Sequence, residues 1–286
     1  MKIGLIDIDS KIPNLALMKI SAWHKTQGDS VEFYMPLWNY DKVYASKVFN
    51  FSDTPELPEG AVTGGTGFSL TSTLPDEIEA IYPDYSLYRC DYAMGFITRG
   101  CVRKCSFCVV PQKEGKINRV AEISQFWRGQ DRIKLFDNNL TAHPDCLSIL
   151  KELRLTQAKI DFSQGLDLRL ITPKIAQELS MIRLWKQVHF AWDDIRLEKK
   201  IFNGLTILTE NGVKKYKIMV YVLIGFDSTH EENYHRVMRL KEYGVDPFVM
   251  PYDRSDDYQA DFARWVNHKA IFKTVTWEEY RYRKTA

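Results

Sequence analysis

The sequence predicts an α/β protein: a small Rossmann-like α/β domain followed by six βα units whose parallel strands curl into a partial (β/α)6 barrel of TIM type. Three observations predict it. Short runs rich in branched and aromatic residues alternate with amphipathic stretches of helical period from residue 2 to residue 250. The run Val220-Tyr221-Val222-Leu223-Ile224 is apolar enough for a strand buried on both faces of a parallel sheet. A hydrophobic content of 45% and an aromatic content of 13% support a sizeable core.

The 286 residues suffice for one large domain or two ordinary ones. A net charge of +2 carries no global signature of a nucleic-acid or membrane-surface binder. The first residues, with Asp7 and Asp9 breaking a short apolar run, are unlike a signal peptide, and no run approaches a membrane span. A cytoplasmic protein without a membrane partner is expected.

Residues 1–90 form the first unit and its linker. Residues 2–8 read as a buried strand, Asn14 caps a helix that stops at Gly28, and Val31 to Met35 is a second strand, which together make a βαβ unit. Asp41 to Phe49 and Ala61 to Gly67 read as further strands, the latter running into a glycine turn. That turn lacks the spacing of a dinucleotide fingerprint and the lysine of a P-loop, so a plain loop is favoured over phosphate binding. A linker with one short helix near Asp76 to Ile81 follows, and Tyr82, Tyr85, Tyr88 and Tyr92 are expected to pack it onto the next domain.

Residues 91–252 carry the six units. Their strands are Ala93 to Thr98, Arg132 to Asp137, Lys159 to Ser163, Gln187 to Trp192, Lys217 to Ile224 and Pro247 to Met250. The helices lie near Val120 to Trp127, Asp145 to Leu155, Thr172 to Met181, Leu197 to Asn211 and Glu231 to Tyr243. Residues 253–286 mix aromatic and basic side chains, which suits a helix closing the open side of the barrel better than a nucleic-acid grip. Sites in such sheets collect on the loops at the C-terminal strand ends.

One of those loops holds Cys101, Cys105 and Cys108, spaced Cys-x3-Cys-x2-Cys, with Phe107 before the third. Soft thiolates select an iron–sulfur cluster, zinc or Cu(I). Zinc sites show two separated ligand pairs, which this chain lacks, and an odd count of five cysteines argues against disulfides. Cys90 and Cys146 stand alone and read as structural thiols.

The loop resembles that of the radical S-adenosylmethionine (SAM) superfamily. The resemblance implies a [4Fe–4S] cluster on Cys101, Cys105 and Cys108, with SAM chelated at the fourth iron and cleaved by one electron to a 5′-deoxyadenosyl radical. It implies that the Phe107 backbone meets the adenine and that Asp137, Asn138 and Asn139 meet the SAM amino group. By position Gln164 and Asp193 reach SAM or the substrate, the strand ending in Gly225 flanks the adenine, and Met250 meets the adenine or the substrate. Arg103 and Lys104 read as solvated, and Asp194 as a helix cap. An electron donor such as flavodoxin or ferredoxin is the implied partner.

Residues 1–90 resemble, in outline, the cobalamin-binding domain that precedes many such barrels. The Asp-x-His-x-x-Gly pattern is absent at His24, which reads as a surface or packed histidine, so cobalamin is not favoured. The loop is also similar to that of the tRNA and ribosomal-protein methylthiotransferases, but no cysteine precedes Cys90 and about the last 35 residues are too few for their β-barrel, so methylthiotransfer is not expected. A cobalamin-dependent methyltransferase and a non-catalytic metal- or nucleic-acid-binding module stay as alternatives to hydrogen abstraction.

Overall fold

The computed structural model describes residues 1–285, with side chains to Arg281. Its first sheet has four parallel strands. β1 (Lys2–Asp7) lies between β2 (Ser30–Phe33) and β3 (Lys42–Ser46), and β4 (Val62–Gly64) pairs with β3. The connection from β1 to β2 is α1 (Leu15–Thr26), whose first amides, of Ala16 and Leu17, are accepted by the Asn14 side chain. Ile3, Leu5, Leu17, Ile20, Tyr44 and Ile78 form a core of their own beneath it.

The strand expected to run to Phe49 stops at Ser46 for a local reason. The Asp9 carboxylate takes the amides of Val48 and Phe49 at 2.7 and 2.8 Å, which turns the chain away from the sheet. Gly65 then lies so close to β3 that a Cβ would stand 2.4 Å from the Lys47 carbonyl oxygen, so the glycine turn serves packing. His24 is buried, with Nδ1 2.6 Å from Asp29 and Nε2 3.0 Å from the Tyr44 hydroxyl.

The linker contributes two turns, α2 (Asp76–Glu79) and a 3₁₀ turn over Tyr85–Tyr88, and its tyrosines face both ways. Tyr88 donates to Asp7 at 2.5 Å, whereas the Tyr85 hydroxyl takes the Met94 amide at 3.0 Å and donates to the Phe126 carbonyl at 2.6 Å. Tyr85 thereby satisfies the free backbone edge of β5 (Ala93–Gly95).

Beyond β5, an antiparallel ribbon of β6 (Thr98–Arg99) and β7 (Asn118–Arg119) closes the base of the cysteine loop, which carries one helical turn, α3 (Val110–Lys113). The helix expected at 120–127 is only a 3₁₀ turn, Ile123–Gln125. The reason is that the Val120 and Ala121 amides both go to the Ile97 carbonyl, at 2.8 and 3.3 Å, so the ribbon takes up the first turn of that helix.

That strand is β8 (Arg132–Leu135), and β9 (Lys159–Phe162), β10 (Val188–Ala191), β11 (Ile218–Ile224) and β12 (Asp246–Pro251) follow. They form two parallel sheets, β5-β8-β9 and β10-β11-β12, joined by single parallel bridges at Ile160–Leu184 and Leu166–Phe190. The crossovers hold α4 (Cys146–Leu155), α5 (Pro173–Met181), α6 (Glu198–Glu210) and α7 (His230–Tyr243). Thr172 caps α5, and Thr229 and Glu232 form a capping box on α7.

The chain ends in α8 (Asp257–Asn267), α9 (Lys269–Thr274) and α10 (Trp277–Thr285), whose Phe262, Trp265, Phe272 and Trp277 join the main core. Asn267 brackets Val249, accepting from its amide at 2.7 Å and donating to its carbonyl at 2.9 Å. So β12, like β5, has its free edge satisfied by a side chain. Among the described residues no helix is long and apolar enough to cross a membrane.

Along these strands one face is fully buried under the helices, as at Ile133, Ile160, Val188 and Val220. The opposite face carries Lys134, Asp161, His189 and Tyr221, the first three with side chains only 15–18% exposed. Burial holds His189 below the ordinary 6.5, while Asp161 opposes that shift and Lys134 and Lys186 reinforce it. The unfolded chain therefore takes the proton first as pH falls through about 6.5, so stability drops on the acid side of that value. Urea midpoints at about pH 7.5 and about pH 5.5 should diverge more in the native protein than in His189→Gln.

Candidate functional site

The three cysteines of the 101–108 segment are half-buried, and no disulfide engages them. Two bonds anchor the start of the loop: the Gly100 amide donates to Asn138 Oδ1 at 3.0 Å, and the Cys101 amide to the Gly115 carbonyl at 3.2 Å. Gly100 has φ +86°, and a Cβ there would meet the Lys116 carbonyl oxygen at 2.5 Å. Backbone cannot yield as a side chain would, so Gly100→Ala should cost about 2 kcal/mol or more in a urea titration.

A polar chain ties the loop to the neighbouring strand ends. Cys101 Sγ accepts from the Arg103 amide at 3.3 Å and from Asn139 Nδ2 at 3.4 Å. Thr141 donates to Asn139 Oδ1 at 2.9 Å and accepts the Asp167 amide at 2.9 Å. The Asp167 carboxylate holds Arg103 Nε at 3.0 Å and Arg169 Nε at 2.6 Å. Burial pushes that carboxyl up, but Arg169 and then Arg103 outweigh it and hold it below the usual carboxylate range.

Asp137 is 5% exposed and accepts from the Ile97 amide at 3.1 Å and the Thr98 hydroxyl at 2.7 Å, as well as from the Thr98 amide. It therefore fixes the segment that delivers the loop. Asp193 is pushed up by burial, with Arg236 and Arg169 opposing, and accepts the Leu223 amide at 3.2 Å. Arg236 is fully buried and donates to the carbonyls of Trp192 and Leu223, both at 2.9 Å, which locks the ends of β10 and β11 together.

Of the residues expected to line a cofactor site, Asn138 and Asn139 touch the cysteine loop directly, and Asp137 holds the backbone that leads into it. Phe107 packs edge-on against Phe226 at 5.5 Å, and Phe226 against Tyr252 at 5.0 Å. Gly225 faces α8, where the Gln259 amide occupies the space of a Cβ at 2.1 Å. Gln164 is exposed in the turn after β9, and Met250 is 45% exposed on β12. Asp194 caps the 3₁₀ turn that leads into α6, accepting the Arg196 amide at 2.9 Å.

Arg103 is a correction, for it is ion-paired with Asp167 where the sequence suggested solvation; Lys104 is exposed. Sequence reasoning missed Thr141 and Arg169. The spacing Asp167-x-Arg169 after a strand was the available signal for one of them.

Among the described residues no three His, Cys, Asp or Glu side chains stand close enough to hold one metal ion. A cluster makes a different demand, since each thiolate binds its own iron. The two N–H groups aimed at Cys101 Sγ suit a cluster sulfur, whose potential such donors tune.

No family model and no curated protein matches the chain. Among solved structures, a dihydropteroate synthase from Clostridium difficile, crystallised with pteroic acid, is similar over 87% of this chain and 74% of its own, at 12% identity and a TM-score of 0.28. A likeness of that size assigns neither fold nor chemistry.

Proposed function

We propose that the chain is a radical SAM enzyme on a partial six-stranded barrel, with one [4Fe–4S] cluster held by Cys101, Cys105 and Cys108. The observation that carries this is their placement: three free thiols on one loop, pinned at the C-terminal end of the first strand of an in-order parallel array. When bound, the cluster supplies one electron, taken from a donor such as flavodoxin or ferredoxin, to cleave SAM into methionine and a 5′-deoxyadenosyl radical that abstracts hydrogen from the substrate.

The chain's own residues do the positioning. Asp137, Asn138 and Asn139, whose oxygens already accept hydrogen bonds, hold the loop in place. Arg169, held by Asp167 through Nε and Nη2 and near Cys105 and Asp193, would offer its remaining N–H groups to the SAM carboxylate. Phe107, Phe226 and Tyr252, packed edge-on in a row, would form the apolar rim of the site.

Cobalamin has no part in this reading. The crevice between β1 and β3, where strand order reverses and such sheets bind ligands, has its polar groups partnered internally: Asn14 with Ser46 at 2.9 Å, Asp7 with Tyr88, Asp9 with the 48–49 amides.

Anaerobic reconstitution with iron and sulfide tests the assignment. About four irons and four sulfides per chain are expected, and none in the triple Cys→Ala protein. Zinc bound stoichiometrically with no iron retained would contradict it.

A further inference from the structure

The face of the strands turned away from the helices is unusual for a barrel, whose inward positions are ordinarily branched and apolar. Here a row of polar side chains crosses it from β8 to β11. Lys134 Nζ lies 2.5 Å from Asp161 and 3.2 Å from the Ser163 hydroxyl. Asp161 lies 3.7 Å from His189 Nδ1, and the His189 ring stacks on Tyr221 at 5.1 Å and 19°.

Next to the row, β12 and the residue that follows it present an exposed apolar wall. Phe248, Met250 and Tyr252 are 37, 45 and 56% exposed, and Phe248 packs edge-on against Tyr221 at 5.8 Å. The wall reaches the cysteine loop through Tyr252, Phe226 and Phe107.

We propose that this inner face binds a neutral, flat heteroaromatic ring of the nucleobase kind, and that the ring belongs to the substrate of the reaction proposed above. The word substrate rests on that reading; the binding site rests on the polar row and the apolar wall alone.

Charge decides against an ionic ligand. Lys134 and Asp161 neutralise each other and the other nearby cation, Lys186, is exposed to solvent, so a carboxylate or ammonium group brought here would be desolvated without a buried counter-ion. The row nevertheless offers hydrogen bonds of both kinds. The Phe162 carbonyl, 3.0 Å from His189 Nδ1, makes that nitrogen the donor and leaves Nε2 as an acceptor, while the third Lys134 N–H is left to donate. A ring with donors and acceptors along one edge and a π-face on each side matches this floor and wall, because bases are held by edge hydrogen bonds and by stacking on aromatic side chains.

The test titrates the iron-free protein with guanosine, adenosine, cytidine and uridine, and separately with a short single-stranded RNA, by saturation-transfer NMR and fluorescence. One base should bind, free or within the RNA, and the two arms say which source is used. His189→Ala and Phe248→Ala should each weaken binding about tenfold, with circular dichroism confirming that both remain folded. The exposed Phe248 keeps the test valid if the His189 variant unfolds. Binding of neither probe, binding unchanged in both folded variants, or binding of an aromatic dipeptide in its place would overturn the proposal. If that happens while the cluster-loaded protein still cleaves SAM, the radical chemistry stands and only the substrate class falls.

Discussion

Cys101→Ala, Cys105→Ala and Cys108→Ala are each expected to reduce SAM cleavage below detection. Each thiolate binds one iron, and an alanine there has no donor to replace it. The thiols lie on a half-buried loop outside the apolar core, so the iron-free Cys105→Ala protein should keep its stability within about 1 kcal/mol. Loss of chemistry without loss of fold is the signature to look for. Cys146→Ala is the contrast: that thiol is 3% exposed among core residues, and burial pushes it up to about 12, so it should cost stability and leave cleavage intact.

Asp137→Ala has the second large expected effect, and it falls on stability. The substitution leaves the buried amides of Ile97 and Thr98 without an acceptor and opens a void behind the loop. A cost of about 3 to 5 kcal/mol is expected, read as a lower urea midpoint, with poor retention of iron. Asp137→Asn keeps one oxygen and should recover part of it. A direct contact with the SAM amino group predicts the opposite pattern, an unchanged midpoint with a raised KM for SAM.

The periodic parts of the fold were legible because period and capping act locally. Asn14, Thr172 and Pro173 mark helix starts where the structure has them. The in-order parallel strands were likewise readable from alternation alone. What sequence could not show depends on contacts distant along the chain. The end of β3 is decided by Asp9, some 40 residues away, and the missing helix at 120–127 by pairing with residue 97.

The site shows the same division. The spacing of Cys101, Cys105 and Cys108 was visible in the sequence, but the acceptors that hold their loop were read as cofactor contacts, since an Asp or Asn at a strand end looks alike in either role. Arg103 looked solvated because its partner, Asp167, lies 64 positions further on. The polar row across the inner face was missed for a related reason. Lys134, Asp161 and His189 each sit singly in an alternating strand, where a polar residue reads as an outward one.

The most direct measurement is anaerobic: the iron-loaded protein is reduced with dithionite in the presence of SAM, and the products are separated by chromatography. The account predicts 5′-deoxyadenosine together with methionine, absent from the Cys105→Ala protein. A filled cluster that yields S-adenosylhomocysteine and no 5′-deoxyadenosine would contradict it.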